Sequence, residues 1–293
     1  MKIRINKRKM AMLAILLVVL AGCARVTGSD GHVLPEKIIA LTTPFKQMFD
    51  TEGWFEALFV WPFAQLINFF SSYVGVGLSV VLVTVLSRLV TLSMTVKSTV
   101  ATQKMQMIQP ELNKINEKYA GKTDEQSKMK MSQETMALYN KHQINPFGAI
   151  FTSFAQLPVI MAIWQAVQRA ESVINGEFLG LNMSVKPTEQ ITGNFMNGGY
   201  IYLILIILMG IAQFASMKLP QYLAKRNMSD REKKAAPAAN QTAMMTNMMF
   251  VMIMFMALGM PTAMTFYWLV SAALAALQAI YIQMRYIDHE KTV

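Results

Sequence analysis

Hydrophobic positions in this chain gather into long runs separated by short polar breaks. Runs at 74–97, 146–168, 199–217, 241–258 and 262–284 each hold close to the ~20 apolar residues that a helix needs to cross a bilayer core. Lipid offers the backbone no hydrogen bonds, so each run predicts a helix that pairs its own N–H and C=O groups. The stretch 54–73 differs, being aromatic along one side (Trp54, Phe55, Phe59, Trp61, Phe63, Phe69, Phe70) and polar at Glu56, Gln65 and Asn68, with Pro62 interrupting. Aromatic rings concentrate at headgroup level, which predicts an interfacial helix on the outer leaflet. The alternative is a full span, which would reverse the orientation of everything after it.

The polar segments have patterns of their own. In 98–145 lysines interleave with acids, and Met105, Ile108, Leu112 and Ile115 recur at helical spacing. Met129, Met136 and Tyr139 do so beyond the turn residues Gly121-Lys-Thr-Asp124, so the segment predicts a cytosolic helical hairpin with a thin apolar seam. Residues 23–53 read as a polar tether outside the membrane, 169–198 as an outer loop, 218–240 as a second cytosolic loop and 285–293 as a short cytosolic tail. Gly259-Met-Pro261 reads as a tight outer turn. The expected fold is an all-α membrane protein with five transmembrane helices, an outer interfacial helix and a cytosolic hairpin. Orientation follows from the positive-inside rule: the two cytosolic loops, Lys97 included, carry fourteen Lys and Arg, the outer loop only Arg169 and Lys186.

Composition agrees, with 54% hydrophobic and 15% charged residues and a mean hydropathy of +0.34, outside the usual soluble range in both respects. The net charge of +10 sits beside the spans, where it orients them, and nucleic acid is not expected as a specific ligand. One cysteine excludes a disulfide framework, and the three histidines are scattered. Phosphate-loop, zinc-protease and hydrolase signatures are absent, so no cofactor, metal or enzymatic chemistry is expected.

The cysteine has its own context. Lys2, Arg4, Lys7, Arg8 and Lys9 precede an apolar core, Met10 to Val19, that ends in Leu20-Ala21-Gly22-Cys23. This matches a bacterial lipoprotein signal: residues 1–22 would be removed and the Cys23 thiol would receive diacylglycerol. Acyl chains hold such an end to the membrane by about 0.8 kcal/mol per buried methylene.

One residue stands in the wrong solvent. Arg88 lies within the first span, roughly 18 Å from its outer end and about 13 Å from Lys97 at the helical rise. A charge at such depth costs at least a few kcal/mol, so it faces a partner or a wet cavity unless its stem snorkels to the headgroups. Thr84, Arg88, Thr91 and Thr95 share one helical stripe. No Asp or Glu lies in the five expected spans, so the arginine has no fixed acid there. Polar groups at comparable depth are Gln156 on the second span, Gln213 and Ser216 on the third, and Tyr267, Trp268, Ser271 and Gln278 on the fifth. Taken singly, each glutamine reads as an interhelical hydrogen bond of about 0.6 kcal/mol. Met244, Met245, Met248, Met249, Met252, Met254 and Met256 on the fourth span read as lipid-facing filler or as an adaptable sliding surface.

These residues, in this order, resemble the YidC/Oxa/Alb family of membrane insertases in its lipoprotein form. The resemblance covers about Trp54 to Met284. It is carried by Gly77-Leu-Ser-Val-Val-Leu-Val-Thr-Val-Leu-Ser-Arg88, by Gln109-Pro-Glu-Leu with Glu117-Lys-Tyr119, by Asn145-Pro146, by Gln156-Leu-Pro158, and by Pro261 followed by Phe266-Tyr-Trp268. It implies a hydrophilic intramembrane groove centred on Arg88, with Trp268 and Gln278 at matching positions; Thr84, Thr91, Gln156, Gln213 and Ser216, read from their polarity and depth, complete the expected lining. The groove would draw in polar or acidic outer segments of nascent membrane proteins, alone or beside the Sec translocon and without nucleotide hydrolysis. The chain departs from the family pattern at Ser216 and Ala272, and its tail is shorter than the basic tail that brings relatives to the ribosome. A small-solute transporter with an anion site at Arg88, or a scaffold acting through the hairpin, are the rival readings.

Overall fold

The computed structural model describes residues 26–28, 33–226 and 240–287. The signal segment 1–22 and Cys23 lie outside the described residues. Helices account for most of what is described: α1 (Phe45–Thr51), α2 (Trp61–Val74), α3 (Val76–Met107), α4 (Gln109–Lys118), α5 (Glu125–Lys141), α6 (Pro146–Arg169), α7 (Glu171–Ile174), α8 (Pro187–Gly193), α9 (Gly199–Arg226), α10 (Asn240–Gly259) and α11 (Thr262–Ile282). A two-residue antiparallel pair, β1 (Glu177–Phe178) and β2 (Leu181–Asn182), closes a small hairpin. By length and composition four described stretches can cross a membrane: Glu56–Val74, Val76–Ser93, Gly199–Leu223 and Thr262–Arg285. The stretch expected at the interface therefore also meets the requirements of a span. Pro62 does not interrupt it. A π-helical turn, Glu56–Val60, runs straight into α2, and Pro62 follows it directly, at the irregular join where the π-turn gives way to the α-helix.

The chain divides into two compact units. The first comprises Met1–Thr91, Phe154–Ile211 and Met254–Ser271. Its core contains Phe55, Val60, Ile67, Val80, Val83, Met183, Tyr202 and Met264, with Ala57, Ala64, Ala162 and Ala166 fully buried. Small residues at these positions let backbones approach closely where lipid gives no hydrophobic drive. Gly77 shows the closeness, since a Cβ there would overlap the Phe178 ring. Gly75 ends α2 at φ +78°, a left-handed conformation that spares glycine the usual Cβ clash. The segment Met183–Val185 caps α11: the amides of Thr262 and Ala263 donate to the carbonyls of Val185 and Met183 at 2.8 and 2.9 Å.

Residues 33–53 are not a free tether. Ile39 is fully buried and forms a parallel bridge to Ala170, its amide donating to the Arg169 carbonyl at 2.7 Å. The polar side read on α2 explains the attachment. Trp61 Nε1 donates to the Thr43 carbonyl, Gln65 Nε2 to Ala40 and Asn68 Nδ2 to Ile39, at 2.8, 2.8 and 2.7 Å. Side chains that have no lipid-compatible partner on their own helix thus find backbone groups in an otherwise irregular strand.

The second unit comprises Leu92–Ser153, Ala212–Ile253 and Ala272–Val293. Here α4 and α5 form the expected hairpin, with Ile108, Leu138 and Ile144 buried and Met105, Leu112, Ile115 and Tyr139 packed against them. Met129 and Met136 are exposed rather than in the seam. Asp124 caps α5 by accepting from the Ser127 amide at 2.8 Å. Lys118 and Tyr119 at the end of α4 both bond Glu134, and Glu111 accepts from Lys141 and faces His142. Helix α9 runs on to Arg226, past the expected span end at 217, with Lys218 donating to Asn247 at 2.8 Å.

The Glu134 pairing sets an acid limit on the hairpin. Hydrogen bonds from Lys118, then Tyr119, hold the Glu134 carboxyl below its ordinary value of 4.5. A carboxylate with a depressed folded-state pKa contributes its full share of stability above the ordinary value, and that share is lost as pH falls through the lower folded value. Amide exchange at the tip of the hairpin is therefore expected to accelerate below about pH 4.5 and down through the folded value, beyond the intrinsic pH dependence. Glu134→Gln should abolish that increment; an unchanged acid profile in the variant would contradict the assignment.

Candidate functional site

Arg88 is half-buried on α3, and its guanidinium reaches α11. Nη2 donates to the Ser271 hydroxyl at 2.7 Å and to the Ser271 carbonyl at 3.2 Å. Both partners are neutral, and among the described residues no carboxylate pairs with this cation. Buried Tyr267 lies one turn before Ser271 on the same helix, and Trp268 is partly buried against the first unit's core.

The hydroxyls of Thr84, Ser87 and Thr91 bond carbonyls of their own helix. Thr84 is almost fully buried and donates to the Val80 carbonyl at 2.6 Å, Thr91 donates to Ser87 at 3.0 Å, and Ser87 to Thr84 at 2.7 Å. Hydroxyls in a helix bond the carbonyl one turn back when nothing better is offered. Arg88 of this stripe reaches another helix, at Ser271 of α11.

The eight expected groove residues divide between the two units. Arg88, Thr84, Thr91, Gln156 and Trp268 belong to the first; Gln213, Ser216 and Gln278 belong to the second. Gln156 is half-buried and has a partner. Ser216 donates to the Gln213 carbonyl at 2.8 Å. Gln278 holds its Nε2 out of solvent with no partner. The residue brought directly to Arg88 is Ser271, which the depth pattern includes but the family pattern does not.

A second polar centre escapes sequence reasoning. Arg169, read as the start of a loop, is the last residue of α6 and only 1% exposed. Its Nε donates to the Lys37 carbonyl at 2.7 Å, and Nη2 pairs with Glu52 at 3.4 Å. Glu52 also binds Lys37 Nζ at 2.8 Å. Glu56 is buried beside them with Oε1 unpartnered. A charge at the edge of an apolar run ordinarily marks a solvated flank, and no sequence signal distinguishes this one. No group of three or more potential metal ligands occurs among the described residues.

Comparison with known proteins follows the same lines. A family described as 60Kd inner membrane protein matches residues 68–290, which include Arg88, Ser271 and the hairpin. The membrane protein insertase MisCA of Bacillus subtilis (strain 168) is 31% identical over 236 residues, covering 80% of this chain and 81% of that protein. Membrane protein insertase YidC 2 of Bacillus anthracis is 29% identical over 269 residues, covering 90% and 89%. Membrane protein insertase YidC 1 of a serotype M6 strain of Streptococcus pyogenes is 30% identical over 235 residues, covering 79% and 74%. With its apolar helices, this is a bacterial membrane protein, and the chain belongs to the YidC/Oxa/Alb family of membrane protein insertases.

Proposed function

We propose that this protein inserts nascent membrane proteins into the bilayer and helps them fold, through a hydrophilic groove centred on Arg88. The observation that carries the reading is a guanidinium within a lipid-length helix whose partners are a hydroxyl and a carbonyl. Among the described residues no acid compensates its charge, and at reduced dielectric it attracts an acidic segment far more strongly than in water. A substrate's polar outer segment would enter the groove, crossing a shorter hydrophobic distance. Its apolar segment then partitions into lipid at roughly 25 cal/mol per Å² of apolar surface. No step needs a nucleotide. The protein acts alone or beside the Sec translocon. Cys23 carries the lipid, the N-terminus lies outside and the C-terminus in the cytosol; the basic loops support that orientation.

The test is reconstitution. Purified full-length protein in liposomes, with a photoreactive residue replacing Trp268, should crosslink a single-span substrate during its synthesis and bring the substrate's outer segment into the lumen. Empty liposomes should do neither. Equal insertion with and without the protein would overturn the proposal, and Arg88-dependent flux of small anions without insertion would favour a transporter.

A further inference from the structure

Arg88 leans on one hydroxyl, and that hydroxyl has a second neighbour. Ser271 Oγ accepts from Arg88 Nη2 at 2.7 Å, and arginine carries no acceptor, so the serine's own proton goes elsewhere. Serines and threonines of these helices send that proton to a carbonyl one turn back: Thr84 to Val80, Ser87 to Thr84, Thr91 to Ser87 and Ser216 to Gln213. Tyr267 offers Ser271 an alternative. It precedes Ser271 by four residues on α11, so the two side chains share a face. Its phenol oxygen is hydrogen-bonded to the Ser271 side chain, and Arg88 lies close enough to interact with it electrostatically. Tyr267 is only 4% exposed, and the packing around its ring holds that oxygen in place.

We propose that Tyr267 is a positioning residue for Arg88, acting through the Ser271 hydroxyl. By accepting the Ser271 proton it fixes that side chain in the staggered rotamer that presents Oγ to α3. Without the phenol oxygen, the hydroxyl turns to the carbonyl one turn back, and that swing carries Oγ into another well, away from Nη2. Arg88 then keeps the Ser271 carbonyl, at the longer distance of 3.2 Å. A guanidinium so loosely held turns its stem toward the cytosolic headgroups. The charge thereby leaves the depth at which reduced dielectric strengthens its attraction for acid. Tyr267 acts on substrate through Arg88 and needs no contact of its own, in keeping with its burial. The inference rests on the insertase reading of Arg88 and adds to it a determinant of substrate charge preference.

Tyr267→Phe removes the oxygen and keeps the ring. In proteoliposomes the variant should insert a single-span substrate with an acidic outer segment about threefold to tenfold more slowly, the loss of one net hydrogen bond. A substrate with an uncharged outer segment should insert at the wild-type rate. Ser271→Ala should show the same selective loss, and Tyr267→Phe in that background should add nothing, since the two residues act in series. Labelling of Arg88 by hydroxyphenylglyoxal in the detergent-solubilised full-length protein, read by mass spectrometry, should run about threefold faster in Tyr267→Phe. Arg169, 1% exposed, is the internal reference for a folded protein. Wild-type insertion of the acidic substrate by Tyr267→Phe overturns the proposal, and so does equal slowing of both substrates, which marks a packing role. A further loss in the Ser271→Ala background overturns it as well, as do unchanged labelling of Arg88 and a parallel rise at Arg169. If the wild-type protein inserts neither substrate, the insertase reading itself fails, while the labelling of Arg88 still decides the role of Tyr267.

Discussion

Replacing Arg88 with alanine lowers insertion of a substrate with an acidic outer segment by about tenfold to a hundredfold, the equivalent of one charge-assisted hydrogen bond of roughly 1.5–3 kcal/mol. The loss has one source: the guanidinium that attracts the acidic segment is gone. Arg88→Lys restores the charge but not the planar fork, so it recovers only part of the rate on acidic substrates. Substrates with uncharged outer segments are expected to insert nearly normally in both variants. Protease protection of the outer segment in proteoliposomes reads all three outcomes. Full activity of Arg88→Ala on an acidic substrate would remove electrostatic attraction from the mechanism.

The second large effect is on stability. Arg169→Met keeps a long stem but removes the cation beside Glu52 and Glu56, both buried. Breaking a buried ion pair from one side costs about 3–5 kcal/mol, because the remaining charge is left without compensation. Lys37 still holds Glu52 at 2.8 Å, which places the expected cost at the lower end of that range, about 3 kcal/mol. Adding Glu52→Gln to Arg169→Met should recover part of the loss, since residues in one network couple rather than add. The thermal midpoint of the purified protein, measured for both singles and the double, gives the coupling. A shift in Arg169→Met no larger than that of an exposed lysine substitution would show that the cluster contributes nothing to stability.

What the chain reveals before folding follows from its solvent. Helices at 74–97, 199–217 and 262–284 are legible because lipid compels long apolar runs, and the hairpin because its seam repeats with the helical period. Arg88 is legible because it violates the run that contains it. The attachment of residues 33–53 is not: its hydrogen bonds join irregular backbone to α2 and α6, far apart in sequence, and leave no periodicity. Arg169 is hidden for a related reason. Only the packing of Lys37 and Glu52 around it distinguishes a buried cation from the many lysines and arginines that end spans in water. Thr84, Arg88 and Thr91 fall on one face of a helix by spacing, but a threonine's polarity in a pattern says nothing about which carbonyl its hydroxyl will choose. Met129 and Met136 repeat at seven residues, yet Leu138 and Ile144 complete the seam.

The junction of Ile39 and Lys37 with Arg169 also constrains how the protein is made. Lys37 and Arg169 are 132 residues apart, so the bonds that join the early segment to Arg169 form only after α6 has been synthesised. At about 5–20 residues per second, the ribosome needs roughly 7–26 s to supply it. During that interval the segment holds only the bonds it makes to α2, through Trp61, Gln65 and Asn68, and the pair of Lys37 with Glu52. Closure of the N-terminal segment is thus a late event in the protein's own assembly. A truncation ending before Arg169 should leave residues 33–53 open to protease.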